Sequence, residues 1–171
     1  YHLIEKKVVI EGQKTAYFSE KFLEITVPVT TKEQIKEIKK TVTHIAKKHD
    51  EEPYKALATT QQAIFHQLEE QDEIDAAAIF DKVFEEKPLA REAAQLAITE
   101  ERVPEKIAVT NVPKYERKYS KQKFKLDNGI EITIPSEIYE NKEMVEFINN
   151  PDGSVSVLIK NIESILNKFN A

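Results

Sequence analysis

The densest chemistry in the chain lies between Lys114 and Lys125. There six of twelve positions are basic (Lys114, Arg117, Lys118, Lys121, Lys123 and Lys125), with Tyr115, Tyr119 and Phe124 interleaved. Cations at this density can meet successive phosphates while the rings stack on bases or pack against a sheet. The same residues also fit a linker that enters an edge strand, where alternating lysines discourage edge-to-edge pairing. A second basic set, Lys32, Lys36, Lys39, Lys40, Lys47 and Lys48, falls mostly off the apolar stripe of Ile35, Ile38, Val42, Ile45 and Ala46. Such a helix face can lie against a phosphate backbone, and Lys36 and Lys40 are its candidate contacts. Glu33 and Glu37 stand at ion-pairing spacing to these lysines, so a salt-bridged, solvated face is the competing reading.

The other reactive residue types form no recognisable centre. His2, His44, His49 and His66 include no i, i+4 pair that would aim two imidazoles at one zinc. The acidic run from Glu69 to Asp75 lacks the turn glycine and the closing bidentate Glu of a calcium loop, and it reads as a solvated helix junction with Asp75 capping the next helix. Three glycines, all in or near turns, leave no phosphate-cradling loop, and there is no Gly-x-Ser-x-Gly elbow. The absence of cysteine removes disulfides, thiolate metal sites and thiol nucleophiles, and is compatible with a reducing cytosol. No catalytic residue, metal ligand or cofactor is expected. An enzyme would need carboxylates that converge only on folding.

The elements that must position the basic residues follow from periodicity. Residues 3–10 are β-branched and read as a short strand ending at Gly12, and Gln13 to Ile25 has mostly helical spacing closed by Pro28. Thr31 is the expected N-cap of an amphipathic helix running to His49. Pro53 opens a second helix ending near Gln71, Asp75 a third through Phe84, and Pro88 a fourth that stops before Pro104. After Pro104 the period changes to two. Lys121–Leu126 and Ile130–Ile134 flank Asp127-Asn128-Gly129, a strong hairpin signal, and Met144–Ile148 and Ser154–Ile159 flank a second turn ending at Gly153. One helical turn is expected over Ser136–Glu140, and Ile162, Ile165, Leu166 and Phe169 predict a terminal helix. The fold class is therefore α+β: a helical array over residues 1–104, then an antiparallel β-hairpin subdomain with a terminal helix over residues 105–171.

With 171 residues, 40% apolar and 32% charged, the chain can bury a core without staples. No apolar stretch approaches the roughly 20 residues that cross a bilayer, so no membrane partner is expected. The start, Tyr1-His2-Leu3, lacks an initiator Met and a signal-peptide core, and reads as a trimmed piece of a longer protein. A net charge of −5 counts against nucleic acid on average, but it is unevenly spread. Residues 1–50 carry ten basic and seven acidic groups, residues 51–105 five and fourteen, and residues 106–171 ten and nine. Either end can present a basic face.

The element order around Gln67–Asp75 and Val83–Pro88, followed by Lys123-Phe-Lys-Leu-Asp-Asn-Gly-Ile-Glu-Ile132 and Asn150-Pro-Asp-Gly-Ser-Val-Ser-Val-Leu-Ile-Lys-Asn161, resembles the C-terminal half of bacterial nucleoid-associated proteins of the NdpA-like family. The resemblance covers roughly residues 55–165 and carries over no residue with a known chemical role. It implies a cytoplasmic, nucleoid-located, non-enzymatic protein whose partners are double-stranded DNA and further copies of itself. The alternative is an interaction or dimerisation module, with DNA binding in the other half of the parent protein.

Overall fold

A computed structural model describes residues 29–170, together with the backbone of two short strands, β1 (Lys7–Ile10) and β2 (Gln13–Ala16). β1 and β2 pair antiparallel, with Lys7 opposite Ala16 and Ile10 opposite Gln13. The helix expected from Gln13 therefore begins instead as a strand, because the β-branched run before it offers an edge that only a neighbouring strand satisfies. The remainder of that expected helix, and residues 3–6 of the expected leading strand, lie outside the described residues.

Helix α1 (Thr31–Lys48) starts one residue earlier than expected, on Thr30. Thr30 Oγ1 accepts from the Glu33 N–H at 3.2 Å, and the Glu33 carboxylate accepts from the Thr30 N–H at 3.0 Å. Two otherwise unpaired end groups are thus satisfied reciprocally. Helix α2 (Pro53–Glu70) packs along α1. Strand β3 (Glu73–Asp75) leads into α3 (Ala76–Val83), whose Ala78 N–H is taken by the Asp75 carboxylate at 3.0 Å, and α4 (Pro88–Thr99) follows. Strand β4 (Lys106–Ala108) pairs with β3, with Ile107 opposite Ile74. Two three-residue strands carry too little alternation to be read from sequence.

The core forms where these stripes meet. Ile38, Val42, Ile74, Ile79, Phe80, Ala94 and Val103 are fully inaccessible, and each large side chain among them contributes roughly 1.5–3 kcal/mol on burial. At one end Lys87, at the start of α4, reaches the turn that follows α1: its Nζ donates to the carbonyls of His49 (2.8 Å) and Asp50 (2.9 Å) and pairs with Glu51 at 3.2 Å.

Beyond residue 104 the chain first returns to this body. Helix α5 (Val112–Tyr119), capped by Asn111, lies against α2, and Val112, Tyr115 and Tyr119 pack on the core. The basic stretch is thus a helix followed by the expected strand; the part before the strand, a linker on one of the two readings, is helical because of the Asn111 cap and Pro113 in the first turn. Then come β5 (Lys121–Lys125), β6 (Glu131–Pro135), α6 (Ser136–Tyr139), β7 (Val145–Asn149) and β8 (Val155–Ile159). Among the described residues β5 pairs with β6 alone and β7 with β8 alone, so the hairpins are two separate ribbons. Gly129 and Gly153 take φ of +90° and +86° in their turns, where a side chain would be strained.

The architecture is α+β: the β1–β2 pair leads, the main helices and the short β3–β4 pair follow, and the two longer hairpins come last. The expected terminal helix does not form. Residues 160–170 have no regular structure, and Ile165, Leu166 and Phe169 are 85%, 82% and 84% exposed. So short a helix is marginal in water unless its apolar stripe is buried, and this stripe stays largely exposed.

Candidate nucleic-acid interface

Alternation along β5 sends Gln122 and Phe124 inward and leaves Lys121, Lys123 and Lys125 exposed. What holds this strand in place is polar. Gln122 Nε2 donates to the Ala58 carbonyl (2.9 Å) and to Gln62 Oε1 (3.1 Å), and Gln62 Nε2 donates to the Ser136 carbonyl (2.9 Å). Ser136 Oγ donates to the Tyr119 carbonyl (2.7 Å), and Gln61 Nε2 reaches the carbonyls of Tyr119 (3.2 Å) and Lys121 (2.8 Å). Gln62, Gln122 and Ser136 are all buried, so this network pins the α5–β5 junction and the end of β6 to α2. Beside it, Phe124, Tyr139 and Phe147 form an aromatic cluster, with Phe124 and Phe147 centred 5.1 Å apart, and Tyr54 of α2 lies 5.9 Å from Phe147.

Between α1, α2 and the hairpins this attachment leaves a cleft of about 1340 Å³. Its floor is apolar, including Ile35, Leu57, Ile64, Phe124 and Phe147. Around it stand Lys32, Lys36 and Lys39 from α1, Lys118 from α5, and Lys121, Lys123 and Lys125 from β5, with Asp127 the one carboxylate among the described lining residues. None of these seven lysines ion-pairs with a described residue. Lys118 instead sits over the Tyr119 ring, 5.6 Å from its centroid. Burial, reinforced by Tyr115, pushes the Tyr119 phenol up to about 12, so it adds no negative charge beside the lysines. A smaller hollow of about 500 Å³ continues along α1 past Lys36, Lys39, Lys40, His44 and Lys47.

Five of the eight basic candidates, Lys36, Lys118, Lys121, Lys123 and Lys125, therefore meet around one cleft. Lys114 and Arg117 are exposed on α5 outside it. Lys40 lies in the adjoining hollow, and its Nζ is held by Glu37 at 2.7 Å, so the salt-bridged reading of α1 holds there but not at Lys36. Lys32 and Lys39 also line the cleft. Their spacing to Lys36, four and three residues, put them on the same helix face in the sequence.

On the far side of the α2–hairpin junction, His66 Nε2 lies 2.6 Å from Glu140 and Nδ1 lies 3.2 Å from Glu69. The hydrogen bond to Glu140 raises the His66 pKa; burial opposes this, and Glu69 adds to the rise. No group of three or more metal-ligating side chains converges among the described residues, and no described helix is long and apolar enough to cross a membrane.

Searches of curated proteins and of solved structures find no match to the chain. A family model described as nucleoid-associated protein YejK matches residues 1–167, nearly the whole sequence and including both hairpins and the lysine-rimmed cleft. The chain belongs to this nucleoid-associated protein family.

Proposed function

We propose that the chain acts without catalysis, associating with double-stranded DNA in the cytoplasm through phosphate contacts made by the lysine-rimmed cleft and the exposed cations of α5. It would do so as the C-terminal part of a longer nucleoid protein. The observation that carries this reading is the set of seven lysines on three elements, with no ion pair among the described residues and one carboxylate, Asp127, among the described residues that line the cleft. Unpaired surface lysines keep their counterions until a polyanion displaces them, and that release drives phosphate binding. Phosphate contacts carry little sequence information, so binding is weakly specific and strongly salt-dependent. Lys114, Arg117 and Lys40 extend the same field beyond the cleft, with Lys40 contributing less because Glu37 already holds it.

The test is fluorescence anisotropy of a short duplex titrated at several salt concentrations. Replacing Lys118, Lys121 and Lys123 together with Gln should reduce the slope of log affinity against log salt by about 2 to 3. All three side chains are exposed, so the thermal midpoint should stay unchanged. An unchanged slope would remove the cleft from DNA binding.

A further inference from the structure

Seven of the eleven large apolar residues exposed among the described residues fall between Val155 and Phe169. They belong to two adjoining features. On β8, Leu158 and Ile159 are 46% and 53% exposed; in the tail that follows, Ile165, Leu166 and Phe169 are more than four-fifths exposed. We propose that this strand and tail form the contact between two copies of the chain, related by a two-fold axis through Val157.

The backbone of β8 fits such pairing. The Asn150 N–H donates to the Ser154 carbonyl and the Lys160 N–H to the Met144 carbonyl, both at 2.8 Å. Antiparallel alternation then points the N–H and C=O groups of Ser156 and Leu158 toward β7, and those of Val155, Val157 and Ile159 away from it. The outward groups have no hydrogen-bond partner among the described residues. A second β8 laid antiparallel across this edge pairs Val155 with Ile159 of the second copy, Val157 with itself, and Ile159 with Val155 of the second copy. All three pairs use groups that already face outward. Nothing on the strand opposes this: Val155-Ser-Val-Leu-Ile159 carries no charge and no proline, whereas β5 carries three lysines on its five residues.

The area and the charge also suit a second copy. Taking roughly 200 Å² of surface for a large apolar residue, the observed exposures leave on the order of 800 Å² per copy to cover, which is about one side of a standard protein interface. Between 155 and 170 the only charged residues are Lys160, Glu163 and Lys168, and Lys160 is held by Glu146 at 2.7 Å, so two copies meet without strong like-charge repulsion. Once two tails lie side by side, the stripe of Ile162, Ile165, Leu166 and Phe169 has the partner that a helix needs. Val155 and Val157 also border the cleft, so the axis sets the two clefts next to one another.

Sedimentation velocity over a wide concentration range tests this on the chain as it stands. The expected result is a monomer–dimer equilibrium, weakened at least tenfold (~1.4 kcal/mol) by Leu166→Asp and by Ile159→Lys. Both side chains are largely exposed in the single chain, so the circular dichroism and melting of the monomer serve as the folding control. At concentrations where the dimer prevails, the amides of Val155, Val157 and Ile159 should become protected from hydrogen exchange. A chain that stays monomeric throughout, a dimer indifferent to both substitutions, or a dimer whose three amides exchange freely would each overturn the proposal.

Discussion

Phe80 and Gln122 are both almost completely buried, yet they hold different parts of the molecule by opposite means. Phe80 sits among Ile, Val and Ala side chains where helices α1 to α4 converge, and its contribution is non-directional burial. Gln122 joins a ribbon to α2 by hydrogen bonds to Ala58 and Gln62, with an aromatic cluster beside it. An apolar core tolerates small shifts, but a hydrogen-bonded joint fixes register. The helical body therefore supplies stability, and the glutamine joint sets where Lys121, Lys123 and Lys125 stand relative to Lys32, Lys36 and Lys39.

The largest expected effect breaks the first kind of attachment. Phe80→Ala should cost about 3–5 kcal/mol in denaturant unfolding and lower the protection of every helix together. Gln122→Ala should cost about 1–3 kcal/mol because Gln62 Oε1 loses its buried donor. Hydrogen exchange should place that loss in β5 and β6 and leave α3 and α4 protected. If the helices loosened equally, the two regions would not be separately held. The smallest effect concerns the histidine at the joint. The pKa of His66 is raised in the folded chain, so its contribution is complete below the unfolded value of about 6.5. It is lost as the pH rises through the higher folded value. His66, Glu69 and Glu140 are all more than a third exposed, so the loss is small, a few tenths of a kcal/mol. Proton resonance should find the His66 midpoint above that of a free imidazole, and Glu140→Gln should bring it down.

The helical body was largely legible because its information is local: the stripe on α1, Pro53 and Pro88 at helix starts, and the Asp75 cap all act within a turn or two. Both hairpins were legible for the same reason, from alternation and glycine turns. The joint was not, since Gln62 and Gln122 look like ordinary surface residues and are buried only because each finds the other across sixty positions. The cleft was half legible. Its lysines were visible as two sets, with Lys32 and Lys39 in the second though not among the candidate contacts, but their convergence depends on that joint. The terminal helix failed because a stripe predicts a helix only where something covers it.

The Lys87 clamp bears on the order in which the chain folds. The last turn of α1 is closed locally, with Asp50 at φ +53° and the Glu51 N–H on the Ala46 carbonyl at 2.9 Å, and the two carbonyls just beyond it, of His49 and Asp50, are taken by the Lys87 ammonium 38 and 37 positions further on, at the N-cap of α4. The turn that leads out of the helix plainest in the sequence is therefore completed only when the start of the fourth docks against it. Opening either side leaves groups that the other satisfies, so the turn after α1 and the start of α4 are expected to lose hydrogen-exchange protection together.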